Sequence, residues 1–471
     1  MSFSLQAAAP RVFLWQRMNH AIYFARNILL AQFITPREFG VFATALNLAS
    51  YVAILSAFEF RTAFLATRNL SEEQIRVQWS AEVILNLVTV FIGLLLAPWL
   101  ETTRSFGIVA AMLCLLMVNL IEASFSTQLY LLERELHFPF LSKMYALVNL
   151  ISFIICLCFA IGGLGWVALI IDRVVAAGLK GLILWTSSDW RPRFLLHKTE
   201  LQYYWSFTSV LFLTGLLGKV LFGFDIYAIG KWTGSEATGI YSMATKWALL
   251  PMEFGSGFLA MMALSLYSQQ SQNGLKAFCS SYTEITFHTV RFCLAIAVLM
   301  AIFMRDFFHV FYGSNWQTVP LVFWALLPYA IFRPLYQNVC QALQAQKELW
   351  LLFSVILIQS LFAVVLIRLF VSRGIFAVAL IIGCVLAAGY IFLEIHLHRV
   401  IKHPIFFISA FPMLLASLGI GGCFLFPYGI SLYEIGLRFA LAFVYLTVAM
   451  LEWWMGYKRL SCPTPLPHNR Y

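Results

Sequence analysis

Charged side chains occur inside segments that are otherwise apolar, at spacings that place them on shared helix faces. Arg173 and Lys180 are seven residues apart, with Asp172 adjacent, and Lys246 and Glu253 are also seven apart. Residues seven apart lie on one side of a helix, so each pair can line the same cavity. Arginine and lysine there can form charge-assisted hydrogen bonds to a phosphate. The spacing therefore predicts charge-lined cavities in a largely apolar chain.

Three other apolar segments carry rows of polar side chains at helical spacing. Amide and hydroxyl groups in such rows can hydrogen-bond sugar hydroxyls. An ionisable side chain near the centre of a bilayer is energetically costly, so it normally faces the protein interior or a water-filled cavity. The rows are Gln16, Asn19, Tyr23 and Arg26; Asn119, Glu122 and Ser126; and Arg333, Gln337, Gln341 and Gln344.

The composition is that of a membrane protein. Of the 471 residues, 61% are hydrophobic and 11% are charged, whereas soluble domains have roughly 45–50% and 25%. Apolar runs of about twenty residues, enough to cross a hydrocarbon core of about 30 Å, recur along nearly the whole sequence. This excludes an ordinary soluble enzyme and predicts an all-α membrane protein.

Fourteen segments are predicted to span the membrane. The first is the least apolar, because it carries Arg11, Arg17 and Arg26, and it could instead lie at the membrane interface. The predicted spans are 11–34, 38–59, 78–99, 105–130, 143–162, 165–186, 203–224, 237–263, 284–304, 317–343, 349–371, 375–398, 404–427 and 431–456.

Basic residues between the predicted spans are distributed unequally, and lysine and arginine near helix ends favour the cytoplasmic side. One alternating set of connections contains Arg61, Arg68, Arg76, Arg134, Lys143, Arg191, Arg193, Lys198, Lys276, Lys347, Arg399 and Lys402. The opposite set contains only Arg37, Arg104, Lys231, Arg305 and Arg373. Both termini are therefore predicted in the cytoplasm. The net charge of +10 reflects this bias and does not indicate nucleic-acid binding.

Several charged residues can be explained without a role in transport. Glu82, Lys180 and Arg291 lie near predicted cytoplasmic helix ends, where we expect them to snorkel to the membrane interface. Arg438 stands four residues after Glu434, a spacing that predicts a local ion pair. Prolines at 251, 328 and 334 predict a break or hinge in the eighth and tenth spans, because a proline frees backbone carbonyls inside a helix.

Two parts of the chain repeat each other. Residues 167–178 read VALIIDRVVAAG and residues 378–389 read VALIIGCVLAAG, identical at nine of twelve positions. The stretch from Gly40 to Ala45 similarly resembles that from Gly239 to Ala244. Matching spans lie six apart, and this even offset keeps both copies in one orientation. The repeat predicts two pseudo-symmetric six-helix lobes related by an axis along the membrane normal.

The predicted organisation follows from the spans and the repeat. It comprises an N-terminal lobe at 1–190, a cytoplasmic linker at 191–202, a C-terminal lobe at 203–400, two extra helices at 401–457 and a cytoplasmic tail at 458–471. The residues from Met1 to Gln16 lack the pattern of a cleaved signal peptide, so we expect the first helix to be retained.

The sequence contains no motif that predicts an enzyme or a bound cofactor. It has no Walker motif, no glycine-rich nucleotide loop and no cluster with metal-ligand spacing. Its nine cysteines are scattered without zinc or redox spacing, which indicates small buried hydrophobic side chains. We expect a transporter without a cofactor.

Four stretches resemble the polysaccharide transporter family, in the multidrug/oligosaccharidyl-lipid/polysaccharide exporter superfamily. They are residues 30–51, with a Thr-Pro-x-x-Phe-Gly turn entering the second span, and residues 132–142, 225–251 and 311–316. The resemblance keeps its order and its positions relative to the helices over about residues 10–400. The last two predicted spans match the family only in being present.

The resemblance implies a V-shaped pair of lobes with alternating access. It also implies that the protein flips undecaprenyl-pyrophosphate-linked oligosaccharide across the bacterial inner, cytoplasmic membrane, for polysaccharides such as O-antigen or exopolysaccharide. Antiport of H⁺ or Na⁺ is the implied driving force. The implied partners are this lipid-linked cargo, membrane lipids, and polysaccharide polymerase and assembly proteins.

For such a cargo, we expect the polar side chains inside the spans to bind the head group, the glycan or the coupling ion. The expected ligands of the anionic head group or of acidic sugars are Arg26, Arg173, Lys246 and Arg333. The expected ligands of the glycan are Asn19, Tyr23, Gln337 and Gln341. The carboxylates expected to pair with these cations or to bind the coupling ion are Glu122, Asp172 and Glu253.

Three alternative functions remain to be separated from this one. A multidrug antiporter of the same superfamily would need an apolar, aromatic pocket with acidic residues, and the excess of buried arginine and lysine argues against it. A peptidoglycan-precursor flippase is not excluded by these features. A membrane polymerase or ligase would need catalytic residues on a substantial external loop, whereas the longest external connections, at 225–236 and 305–316, are short. The sequence does not specify the glycan or the oligomeric state.

Overall fold

The computed structural model describes residues 2–56, 60, 61, 64, 70–135, 137–401, 405–425 and 432–461, and every regular element within them is helical. The α-helices are α1 Ser2–Phe33, α2 Pro36–Val52, α3 Glu72–Glu101, α4 Phe106–Ser124, α5 Ser126–Arg134, α6 Phe138–Ile161, α7 Trp166–Ser187, α8 Lys198–Leu221, α9 Phe224–Trp232, α10 Ser235–Ala248, α11 Gly257–Gln272, α12 Leu275–Phe311, α13 Val319–Ala325, α14 Leu327–Ala345, α15 Leu349–Phe370, α16 Ile375–Ile401, α17 Ile405–Leu425 and α18 Leu432–Ser461. Arg68, Lys402 and residues 462–471 of the predicted tail lie outside the described residues.

Two helices begin at sequence-encoded capping boxes. Before α2, Thr35 accepts from the Glu38 backbone N–H at 3.4 Å, and the Thr35 N–H donates to the Glu38 carboxylate at 2.9 Å. Before α3, Ser71 and Gln74 form the same reciprocal pair. Each box satisfies backbone donors that the first helical turn leaves without partners. Pro36 follows Thr35 at the start of α2, where its fixed φ suits a helix. The Thr-Pro turn is therefore a helix-start signal.

The predicted spans all coincide with helical segments of the described residues. Among the described residues, eight helices are long and apolar enough to cross a membrane, and α13 with α14 makes a ninth if the bent pair is counted as one span. The chain is thus a multi-pass α-helical membrane protein, while the count of fourteen stays a prediction. The first helix is not among the eight, but α1 packs along the apolar α6. This packing favours a membrane-spanning α1 over one at the interface.

Three spans are interrupted. The eighth contains a π-helical segment at Pro251–Ser256, where the sequence predicts a break. The tenth bends by 54° between α13 and α14, just before Pro328, and Pro334 lies within the continuous α14. The fourth breaks at Phe125, between α4 and α5, although no proline or glycine marks the site.

The chain divides into two compact units, Met1–Ile240 and Tyr241–Tyr471. The repeated helices have corresponding neighbours within their own units: α7 packs on α6 and α4, and α16 packs on α15 and α14. The repeat in the sequence therefore reflects a repeat in local packing. The predicted boundaries at 190, 202, 400 and 457 stay predictions.

The outward surfaces of the helices are apolar. On α3, for example, Phe91, Leu95 and Trp99 are each more than 60% exposed, which suits contact with lipid and would be unusual on a soluble monomer. Some cysteines share this surface. Cys156 and Cys293 are buried as expected, but Cys114, Cys158 and Cys384 are exposed. The prediction that the cysteines are uniformly buried is therefore wrong, because apolar helices in lipid also carry small apolar residues on their outer faces.

Candidate functional site

A polar cavity of about 440 Å³ lies within the first unit. It is enclosed by the 3₁₀ turn after α2 and by α3, α4, α5, α6, α7 and α8. Its lining brings together two carboxylates and two lysines with amides and hydroxyls. The polar members of the lining are Ser56, Glu82, Asn86, Asn119, Glu122, Ser126, Tyr130, Tyr145, Lys180 and Lys219.

The predicted polar row of the fourth span faces this cavity. Asn119, Glu122 and Ser126 all line it, although the helix breaks between Glu122 and Ser126. Glu122 forms an ion pair with Lys180 of α7. Lys180 therefore has a charged partner in the cavity lining, and the interpretation that it only snorkels to the interface is wrong.

Glu82 is the second carboxylate of the cavity and is held by neutral donors. Its Oε2 accepts from the Gln78 amide at 2.5 Å and from the Ser126 hydroxyl at 2.9 Å. Its Oε1 accepts from the Tyr130 hydroxyl at 3.1 Å. Among the described residues no lysine or arginine forms an ion pair with Glu82. Glu82 was also expected to snorkel, and its three side-chain partners show that this interpretation is wrong.

The break at Phe125 contributes directly to the cavity wall. Its carbonyls are satisfied by side chains: the Trp79 indole donates to the Ser124 carbonyl at 3.0 Å, and the Ser126 hydroxyl lies 3.0 Å from the Ala123 carbonyl. Thr127 adds a hydrogen bond to the Gln78 amide oxygen at 3.0 Å. An interrupted helix inside a membrane needs such partners, since no lipid group can supply them.

A second charged pair lies between α1 and α7. Arg26 pairs with Asp172, whose side chain is only 2% exposed. On the same face of α1, the Asn19 amide oxygen accepts from Asn149 of α6 at 2.7 Å. Tyr23 is half-buried on α1, and Arg173 is exposed on α7. The structure thus joins Arg26 to Asp172, one of the two roles expected for that carboxylate.

The other predicted ligands belong to the second unit. Lys246 on α10 lies near enough to Glu253, in the π-helical segment, for their charges to interact. Arg333, Gln337 and Gln341 share α14 and are half-buried. None of the four predicted basic ligands, Arg26, Arg173, Lys246 and Arg333, lines the 440 Å³ cavity.

Two arginines of the second unit have structural roles. Arg291 pairs with Glu452 of α18, with its Nε 2.9 Å from the carboxylate, and is not a snorkelling residue. Arg438 pairs with Asp306 of α12 at 2.7 Å, and its Nε also donates to the Glu434 backbone carbonyl at 3.3 Å. The predicted side-chain pair with Glu434 stays a prediction. Both ion pairs attach α18 to α12.

Sequence reasoning missed one buried carboxylate. Glu394 on α16 is 3% exposed and accepts from the Tyr282 hydroxyl at 2.7 Å. Glu394 lies near the predicted cytoplasmic end of its span, where carboxylates are common, so its position in the sequence did not indicate that it is buried. The described residues contain no group of three or more His, Cys, Asp or Glu side chains that could hold a metal ion.

The chain is similar to known proteins in both sequence and fold. The model of the family described as polysaccharide biosynthesis protein matches residues 29–320. The teichuronic acid biosynthesis protein TuaB of Bacillus subtilis is 28% identical over 127 residues. That alignment covers 26% of this chain, and the chain spans only about a quarter (26%) of the length of TuaB.

Solved structures show the fold. The lipid II flippase MurJ in an inward closed conformation superposes with a TM-score of 0.72, at 14% identity, over 97% of this chain and 100% of that chain. An inward-facing multidrug resistance MATE family transporter of the MOP superfamily gives a TM-score of 0.56, at 14% identity, over 82% of this chain and 96% of that one. At these identities the likeness concerns the fold alone. The chain belongs to the polysaccharide biosynthesis protein family and has the fold of the MOP superfamily of flippases and transporters.

Proposed function

We propose that this chain flips undecaprenyl-pyrophosphate-linked oligosaccharide repeat units across the bacterial cytoplasmic membrane for polysaccharide biosynthesis. The observation that carries the proposal is the polar cavity, with two lysines among amide and hydroxyl side chains. An anionic pyrophosphate and a polar glycan cannot cross hydrocarbon unshielded. Lysine ammonium groups can bind phosphate, and amides and hydroxyls can bind sugars, while the lipid tail stays in the bilayer.

The family and the named relatives support the same proposal. TuaB acts in the biosynthesis of teichuronic acid, and MurJ is a flippase of lipid II. A chain that resembles the first in sequence over 127 residues and shares a fold with the second is expected to move a lipid-linked precursor of a polysaccharide. Alternating access driven by an ion gradient is the mechanism we propose, with both termini in the cytoplasm and a polysaccharide polymerase receiving the flipped unit.

The test is a flipping assay with the purified protein in proteoliposomes. Fluorescent undecaprenyl-pyrophosphate oligosaccharide is supplied in both leaflets, and an impermeant reagent quenches the outer one. Protein-dependent loss of the protected inner fraction, without chain growth, supports a flippase. Chain growth would instead indicate a polymerase, and extrusion of a cationic dye without flipping would indicate a multidrug antiporter.

A cavity lysine and a surface lysine give a matched pair of variants. Lys219 lines the cavity, where it also donates to the Ser50 carbonyl at 3.3 Å, whereas Lys276 is exposed on α12. We expect Lys219→Gln to slow flipping roughly tenfold, the effect of losing one charge-assisted hydrogen bond to phosphate. Lys276→Gln should flip at the wild-type rate. Equal rates for both variants would contradict a phosphate-binding cavity.

A further inference from the structure

We propose that Glu82 is the group that binds and releases the proton driving transport, and that Ser126 exchanges hydrogen-bond partners when it does so. The inference rests on the proposed function and adds to it the coupling ion and its binding residue. Glu82 lies one helical turn inside the predicted span 78–99 and lines the cavity. Solvent that enters the cavity can therefore exchange a proton with it.

Glu82 differs from three other carboxylates nearby, because its hydrogen-bond partners are neutral whereas theirs are cations. Glu122 faces Lys180, Asp172 faces Arg26, and Glu133 faces Arg61 at 2.8 Å. A cation favours the charged form of its carboxylate, so these three resist protonation. The partners of Glu82 are the neutral groups of Gln78, Ser126 and Tyr130. Of these four carboxylates, Glu82 is the one whose charge can be removed without stranding a cation.

The hydrogen bonds of Glu82 favour a proton over a sodium ion. All three partners donate to its oxygens, with Tyr130 on Oε1 and with Gln78 and Ser126 on Oε2. A metal cation needs several oxygen ligands, so the Gln78 amide and the hydroxyl hydrogens of Ser126 and Tyr130 would all have to turn away from Glu82. A proton requires only that one hydroxyl turn, because a hydroxyl can donate or accept. The geometry is that of a proton site.

Ser126 provides the hydroxyl that can turn. Its Oγ lies 2.9 Å from Glu82 Oε2 and 3.0 Å from the Ala123 carbonyl oxygen, and its single hydrogen can serve only one of them at a time. When Glu82 is charged, the hydrogen points to Oε2. When Oε2 takes a proton from solvent, the carboxylate charge falls from −1 to 0, the Ser126 hydrogen turns to Ala123, and Ser126 accepts from the new Glu82 O–H.

This exchange occurs where α3 is joined to the broken fourth span. The Trp79–Ser124 and Gln78–Thr127 hydrogen bonds also link α3 to the break, and Tyr130 of α5 donates to Glu82 Oε1. Protonation thus reverses one of four hydrogen bonds while the other three hold the register. The ionisable groups around Glu82 are Glu122, Tyr130, Tyr145, Lys180 and Lys219 of the cavity and the Arg61–Glu133 pair. The lysines oppose protonation of Glu82 and the carboxylates favour it.

Infrared difference spectroscopy tests proton binding without requiring transport. The purified protein in lipid is taken from neutral to acidic pH, and the carbonyl stretch of a protonated carboxyl is recorded. We expect a component of the wild-type band that is lost in Glu82→Gln and retained in Glu122→Gln. Ser126→Ala should shift the pH midpoint of the band, whereas Ser124→Ala, whose hydroxyl bonds only the Ile121 carbonyl, should not. A Glu82→Gln band with the full wild-type intensity would overturn the proposal.

The flipping assay tests coupling. A pH gradient is expected to accelerate flipping by the wild type, and this acceleration should be roughly tenfold smaller in Glu82→Gln. If Glu82→Gln does not fold, the acceleration of flipping by the pH gradient is measured in Ser126→Ala, with Ser124→Ala as the control. Gradient-driven flipping by Glu82→Gln at the wild-type rate would overturn the assignment of Glu82. Failure of the wild type to flip would instead contradict the proposed function and leave the infrared result standing.

Discussion

Gly40 and Gly239 lie against each other where α2 crosses the start of α10. A Cβ on Gly40 would lie 1.6 Å from the Ser235 carbonyl oxygen, and one on Gly239 would lie 1.8 Å from the Pro36 carbonyl oxygen. Each glycine thus contacts the first residue of the other helix. The two positions correspond in the sequence repeat, so repeat-related residues form a reciprocal backbone contact within the first unit.

Alanine at either glycine should therefore separate these helices. We expect Gly40→Ala to destabilise the protein by about 3 kcal/mol, the upper end of the range for overpacking, because the obstructing atom is backbone and cannot rotate away. Thermal unfolding in detergent measures this. Gly178→Ala is the control, since Gly178 is helical and has no atom within 4 Å of an added Cβ. Equal melting temperatures for both variants would contradict the close contact.

The Arg26–Asp172 pair should behave as a unit. Removing Arg26 alone leaves a carboxylate that is only 2% exposed, which should cost on the order of 3–5 kcal/mol. The double variant Arg26→Gln with Asp172→Asn leaves no charge behind and should recover most of the stability. The melting temperatures of the wild type, the two single variants and the double variant form a double-mutant cycle. Purely additive losses would show that the two residues act separately.

The ion pairs of Arg291 and Arg438 should hold α18 to α12 within the second unit. Arg291 is 5% exposed in its side chain, contacts Glu452 through two nitrogens and also donates to the Phe287 carbonyl at 3.1 Å. Lysine keeps the charge but cannot reproduce this forked geometry. We expect Arg291→Lys to cost about 1.5–3 kcal/mol, measured by thermal unfolding. Lys347→Arg, at an exposed turn, should change nothing.

The topology predicted from the basic residues can be tested with reporters. Green fluorescent protein fused at the C-terminus, or truncated fusions after Lys347, should fluoresce because the fused domain stays in the cytoplasm. Alkaline phosphatase fused after Gly163, in the connection between α6 and α7, should be active because it is exported. Activity in the reverse pattern would show that the termini lie outside.

Most of the fold could be predicted, because apolar length and helical period are properties of local sequence. The helical segments, the Thr35 and Ser71 helix starts and the irregular eighth span at Pro251 all have local signals. The break at Phe125 has none. It is stabilised by the Trp79 side chain from another helix, 45 residues away from the carbonyl it satisfies.

The functional site was harder to predict, because its residues are brought together by tertiary contacts that have no local signal in the sequence. The row of Asn119, Glu122 and Ser126 could be assigned to one face from spacing alone. Glu82 could not be distinguished from a snorkelling residue, because two of its three partners lie 44 and 48 residues further along the chain. Arg438 also pairs with Asp306, 132 residues earlier in the chain, a contact that local spacing could not predict. At Glu82, tertiary contacts outweigh the local pattern.

The exposed cysteines have a practical consequence for spectroscopy. Cys114, Cys158 and Cys384 lie on the outer faces of apolar helices, where acyl chains surround them. A charged reagent cannot enter the hydrocarbon core, where its charge would be unshielded. A charged, membrane-impermeant maleimide should therefore ignore these three thiols in proteoliposomes. Engineered cysteines in the aqueous connections can then carry spin labels or fluorophores without first replacing these three native residues.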